Sequence, residues 1–108
     1  MWQKPMDVAE AVYILVEDLP AKEKYGLASQ MTRSAVSVPA NIAEGYSRST
    51  RRDYANFLAI AKGSLMETET YLLLAVRLKF VREETANVLL DLIMEISKML
   101  TTLRNRLL

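Results

Sequence analysis

A chain of 108 residues, 51% hydrophobic and 25% charged, is long enough for one buried core and has the wrong composition for disorder as its main state. With three glycines and three prolines it has few turns, which predicts an all-α fold of a few long helices rather than many short strands. The absence of cysteine and histidine removes disulfides, the usual zinc ligands and Ser-His or Cys-His pairs, so no cofactor or metal is expected, and a net charge of +1 means that attraction to nucleic acid must rest on local clusters.

The opening stretch MWQKPMDVAEAVYILVEDLP carries acidic residues inside its apolar run and lacks a small-residue cleavage site, so it reads as a helix rather than a signal peptide. Pro5 suits a first helical turn, where its missing N–H has no intrahelical partner. A first helix is predicted over about 5–19, with Met6, Ala9, Tyr13 and Val16 on one stripe and Val8, Val12, Leu15 and Leu19 on the next. The longest apolar runs, such as Tyr71 to Val76, fall short of the ~20 residues a membrane span requires. A cytoplasmic protein with no membrane partner is expected.

The second helix, about 22–45, begins between Ala21 and Leu27 and turns Leu27, Met31, Ser34, Val38 and Ile42 to one face. Periodicity continues through Pro39, so this proline is expected to kink the helix rather than end it, at about 3 kcal/mol. Gly45 reads as its stop, because glycine takes the left-handed conformation at little cost. Thr50 followed by Asp53 fits a capping box for the third helix, about 50–79, with Ser49 as an alternative cap. Tyr54, Leu58, Ala61, Leu65, Thr68, Leu72 and Ala75 form its main face, flanked by Phe57, Ser64, Tyr71 and Leu78. Gly63 interrupts it at about 1 kcal/mol relative to alanine. Close packing against Met31 and Ala35 is its expected role.

The fourth helix, about 83–107, opens on Glu83 and Glu84 and closes on Arg104 and Arg106, as the helix dipole favours. Leu89, Leu92, Ile96, Met99, Leu103 and Leu107 are expected to face inward. Four helices with short connections predict an antiparallel up-down-up-down bundle in a single domain, 1–108. Tyr71 to Val76 occupy every side of the third helix, more apolar surface than one bundle covers, which points to self-association.

Two candidate sites emerge. The first is SVPANIAEGYSRSTRRD, Ser37 to Asp53, in which Glu44 would be an acid or base with Asn41 and Ser37 as partners. It lacks a second carboxylate at helical spacing and any histidine, so a structural role is preferred, with Glu44 paired to Arg48, Arg51 or Arg52. The second is the bundle end that gathers Lys4, Arg48, Arg51, Arg52, Arg104 and Arg106. It reads either as a solvated fringe or as a surface for RNA or DNA phosphates. An alternative without nucleic acid is a scaffold that docks another protein.

The segment from Lys22 to Leu72 resembles the four-helix-bundle family of 23S ribosomal RNA intervening-sequence proteins. The resemblance is carried by Tyr25, Gly26, Leu27, Gln30, Arg33, Ser37, Asn41, Ile42, Ala43, Glu44, Gly45, Gly63, Ser64, Leu65 and Glu67. Thr32–Arg33–Ser34 departs from an R-A-A-like run. The resemblance implies a homopentameric ring or barrel with no enzymatic activity. A similar fold, the accessory variability determinant of diversity-generating retroelements, is pentameric and binds a reverse transcriptase and nucleic acid, but such relatives are more basic than this chain.

Overall fold

The computed structural model describes residues 2–108. It contains four α-helices, α1 (Gln3–Leu15), α2 (Leu27–Tyr46), α3 (Arg51–Arg77) and α4 (Glu83–Leu107), and two short 3-10 turns, Val16–Asp18 and Ala21–Glu23, between α1 and α2. No strand occurs among the described residues. At 1.5 Å per residue the 27 residues of α3 span roughly 40 Å, which accounts for the 43 Å long axis of a body 24 Å and 19 Å across. Each helix packs on two others in a closed circuit, α1 on α2, α2 on α3, α3 on α4 and α4 on α1.

The buried face of α3 is the one its periodicity predicts: Leu58, Ala61, Leu65, Thr68, Leu72 and Ala75 are buried, with Tyr54 half-buried. On α2, Leu27, Met31, Ser34, Val38 and Ile42 are buried as expected, joined by Ala35 and Pro39. On α1 the two predicted stripes differ in fate. Val8, Val12 and Leu15 enter the core with Ala9, whereas Met6 and Tyr13 are exposed. On α4 the core line is Ala86, Leu89, Ile93, Ile96 and Leu100. Leu92, Leu103 and Leu107 pack half-buried along its edge, so the true face lies one residue away from part of the expected one.

Helix ends follow local chemistry. Thr50 Oγ1 accepts the Asp53 N–H at 3.1 Å, the N-cap bond that starts α3. Glu23 Oε1 accepts the Leu27 N–H at 3.3 Å and so relieves one unpaired donor at the start of α2. At the end of α3 the Phe80 N–H reaches the Ala75 carbonyl and the Lys79 N–H the Val76 carbonyl, both at 2.9 Å. This is a Schellman closure, and it places Lys79 at φ 64°, a position that usually takes glycine.

Both interior glycines differ from their expected roles. Gly45 does not stop α2, which continues to Tyr46 with Ser47 as its right-handed C-cap. A Cβ at Gly45 would lie 2.8 Å from Phe57 Cβ and 3.0 Å from Tyr54 Cδ1, so its missing side chain is what lets α2 and α3 approach. Gly63 is the reverse case. It is exposed, and a Cβ there would meet nothing within 4 Å, so it does not pack against Met31 and Ala35.

Candidate functional site

The segment Ser37 to Asp53 resolves into a helix end, a short turn and a capped restart. Pro39 is buried inside α2, and its lack of an N–H is accommodated without ending the helix. Asn41 Nδ2 donates to the Ser37 carbonyl and to Ser37 Oγ, each at 2.8 Å. Ser37 Oγ in turn lies 2.9 Å from Ser64 Oγ on α3. One turn away Ser34 Oγ lies 2.8 Å from Thr68 Oγ1, and Thr68 donates to the Ser64 carbonyl at 2.9 Å. These hydroxyls form a polar seam between α2 and α3, and no buried side-chain donor or acceptor among the described residues lacks a partner. A satisfied polar seam fixes the register of two helices, since sliding one past the other would leave buried groups unpaired.

Glu44, the candidate acid or base, is held by Arg48, with Nη2 and Oε1 2.6 Å apart. Both partners are about half exposed, so the pair adds little stability. The Arg48 guanidinium also lies over the Phe57 ring, 4.7 Å from its centroid, in the range of a cation–π contact. Asn41 and Ser37 are committed to the seam rather than to Glu44. The residues proposed as an active constellation are therefore not assembled as one.

The arginine-rich end is assembled. Arg51 Nη2 donates to the Arg106 carbonyl at 2.5 Å, and Arg104 Nε donates to the Ala55 carbonyl at 3.3 Å. These two bonds tie the start of α3 to the last turns of α4 and bring their arginines together. Arg51, Arg52 and Arg106 are exposed and Arg104 is half-buried. Among the described residues none of the four forms a salt bridge. Lys4 stands apart from this cluster, because it pairs with Glu95 of α4. Eleven residues of helix, roughly 16 Å, separate Glu95 from Arg106. The 13 residues of α1 are too few to reach the arginine end.

Aromatic residues complete this end, a feature the reading of the sequence passed over. Tyr46, on the last turn of α2, is 78% exposed and packs edge-on against Tyr54, with ring centroids 6.0 Å apart at 80°. Partial burial, and secondarily the neighbouring Tyr46, push the Tyr54 phenol above its ordinary value. The signal was present in EGYSRSTRRDY, Glu44 to Tyr54, where tyrosines bracket the arginine run.

The remaining motif residues line a separate polar groove between α2 and α3, a space of about 480 Å³ bordered by Gln30, Arg33, Ser34, Ser37, Ser64, Glu67 and Tyr71. A second groove, between α1 and α2, is apolar. It encloses about 400 Å³ and is lined by Trp2, Met6, Tyr13, Val36 and Pro39 among others. Gly63 lies in a third, about 320 Å³, between α3 and α4, rimmed by Lys62, Thr101 and Arg104. Among the described residues no group of acidic side chains gathers in a way that would hold a metal ion, and no helix is long and apolar enough to cross a membrane.

Comparison with known proteins places this architecture. Residues 1–102 match the model of a family described as 23S rRNA-intervening sequence protein. A crystal structure from Bacteroides thetaiotaomicron VPI-5482, of a protein with unknown function from the S23 ribosomal protein family, superposes with a TM-score of 0.86 at 26% identity, over 95% of this chain and 96% of that one. No curated protein matches the sequence.

Proposed function

The chain belongs to the family of 23S rRNA-intervening sequence proteins, and from that premise we propose a non-enzymatic cytoplasmic bundle, assembled from several copies, that contacts RNA or DNA backbone through its arginine-rich end. The observation that carries this reading is the concentration of Arg51, Arg52, Arg104 and Arg106 where α3 begins and α4 ends, with no carboxylate paired to any of them among the described residues. Guanidinium groups bind phosphate oxygens bidentately, and contacts of this kind position a strand without reading its sequence.

The non-enzymatic part is supported by Glu44 being held by Arg48 while its supposed partners serve the α2–α3 seam. The helices are proposed to alternate in direction. In support, the contact steps from Ser37–Ser64 to Ser34–Thr68, back along α2 as it advances along α3. Arg51 likewise reaches Arg106 while Lys62 reaches Thr101.

Assembly is supported by apolar side chains that one bundle leaves in water, including Trp2, Tyr13, Ile14, Ile60, Leu73, Leu74 and Val88. Apolar surface of this extent usually marks an interface. Five copies are proposed on the resemblance drawn from the sequence. A ring of that kind would multiply four unpaired arginines into a belt.

A filter-binding titration tests the reading. Affinity for nucleic acid at low salt should fall steeply as salt rises, with log K changing by about 0.7–0.9 per phosphate contact for each tenfold step. Replacing Arg48, Arg51 and Arg52 by alanine should weaken binding to all sequences alike. Absence of measurable binding at low salt, or indifference to these substitutions, defeats it. Light scattering tests the assembly: the mass of a single chain would remove both the partner for the apolar surface and the belt. The α1–α2 groove favours a second reading, a scaffold for another protein, which a partner recovered after nuclease treatment would support.

A further inference from the structure

We propose that the arginine-rich end takes single-stranded nucleic acid in preference to duplex, with Tyr46 as the platform on which an unpaired base stacks. The inference rests on the preceding reading that this end contacts nucleic-acid backbone, and it names the kind of strand.

Tyr46 is a large ring left 78% exposed, yet it is not loose. Its edge-on contact with Tyr54 braces it, and Tyr54 is itself seated against the bare backbone of Gly45. A braced aromatic ring in water presents a flat face at low entropic cost, since little freedom is left to lose on stacking. Arg48 supplies a second flat surface nearby. Phe57 supports its guanidinium from one side at 4.7 Å and Glu44 fixes its edge, while 43% of the side chain stays exposed.

The charges beside these rings are positioned as well. Arg51 is anchored on the Arg106 carbonyl, Arg104 on the Ala55 carbonyl, and Arg52 is exposed next to them. Tyr54 lies one helical turn beyond Arg51 on α3, so the rings and the guanidinium groups occupy one end. Stacking surfaces flanked by cations are what single strands bind without sequence preference. A duplex offers the same phosphates, but its base faces are already covered by neighbouring bases. The arginines therefore serve both forms, and Tyr46 adds affinity for one.

The test compares a short oligoadenylate with a duplex of the same length by fluorescence anisotropy at low salt, using the full chain. The single strand should bind more tightly. Tyr46→Ala should weaken single-strand binding about tenfold, within the span of measured base–aromatic stacking, and leave duplex binding unchanged. Tyr46→Phe keeps the ring and should keep the affinity. Arg51→Ala with Arg52→Ala should weaken both forms together.

Equal binding of the two forms with indifference to Tyr46→Ala overturns the single-strand inference and leaves the backbone reading standing. Binding of neither form overturns the backbone reading, and this inference with it. Light scattering on Tyr46→Ala closes the remaining route: a loss of assembled mass would make Tyr46 a contact between copies and overturn its stacking role.

Discussion

Gly45 and Gly63 lie on two consecutive helices, both inside regular helix, yet they face opposite surroundings. At Gly45 the α2 and α3 backbones approach so closely that a Cβ would fall 2.8 Å from Phe57 Cβ. At Gly63 the same addition would meet nothing within 4 Å. The difference separates two sides of α3. The inner side is closed by Leu58, Leu65, Thr68 and Leu72, all fully buried, and by hydroxyl bonds to α2. The outer side carries Ile60, Gly63, Leu73 and Leu74 into solvent. A glycine within a helix thus says little by itself; what faces it decides whether it permits an approach or only weakens the helix.

The largest effect that would break this distinction is a deletion on the closed side. Leu65→Ala should cost about 3 kcal/mol, the usual scale for a leucine removed from a filled core. Leu74→Ala, nine residues further along the same helix and about half exposed, should cost well under about 1 kcal/mol in the unassembled chain. Urea denaturation measures both. Equal losses would mean that the outer side is as closed as the inner one.

Gly45→Ala is the next test. The added methyl meets Phe57 Cβ, an atom tied directly to the α3 backbone, and the ring of Tyr54. Overpacking of this kind costs about 1–3 kcal/mol, of which better helix propensity returns about 1 kcal/mol. The 2.8 Å approach to Phe57 Cβ puts this case at the top of that range, about 3 kcal/mol, so a net loss of about 2 kcal/mol is expected, seen as a lower urea midpoint with an unchanged slope. Thr68→Val should follow at about 1.5 kcal/mol. It keeps the shape but removes the hydroxyl that reaches Ser34 and the Ser64 carbonyl, leaving polar groups of the seam short of a partner.

These contrasts also show what the sequence disclosed. The α3 face was legible because its main stripe, Tyr54 to Ala75, keeps steps of three and four for about six turns and is more fully occupied than the flanking line of Phe57, Ser64, Tyr71 and Leu78. On α1 two stripes share the same spacing, and the choice between Met6–Tyr13 and Val8–Val12 is made by α2 and α4, not by α1 itself. In the sequence Gly45 reads as a stop because a glycine before a polar turn usually is one. Its packing role depends on Tyr54 and Phe57, residues about ten positions away whose approach no local pattern announces. The gathering of Arg51, Arg52, Arg104 and Arg106 followed from helix lengths and short connections alone. Lys4 falls outside this gathering because α1, with 13 residues, is well short of the 20 of α2 and the 25 of α4 that it packs on, and Tyr46 is uncharged, so the pattern of charges along the chain does not reveal it.

The smallest expected effect has the opposite sign. Gly63→Ala should raise stability by about 0.8 kcal/mol, because alanine in a helix interior loses less backbone freedom than glycine and here has nothing to collide with. The shift is within reach of paired denaturation curves, and its sign matters more than its size. Gly63 lies in the groove between α3 and α4 with Lys62 and Arg104 on its rim, on the side of α3 that the single chain leaves open. A gain measured at low concentration, where copies are separate, together with a gain under assembled conditions, would show that this side stays open. A gain in the separate chain that turns into a loss of assembled mass would show another helix resting on Gly63. The glycine would then have the role it lacks within one chain, the close approach of a second backbone, as Gly45 has between α2 and α3.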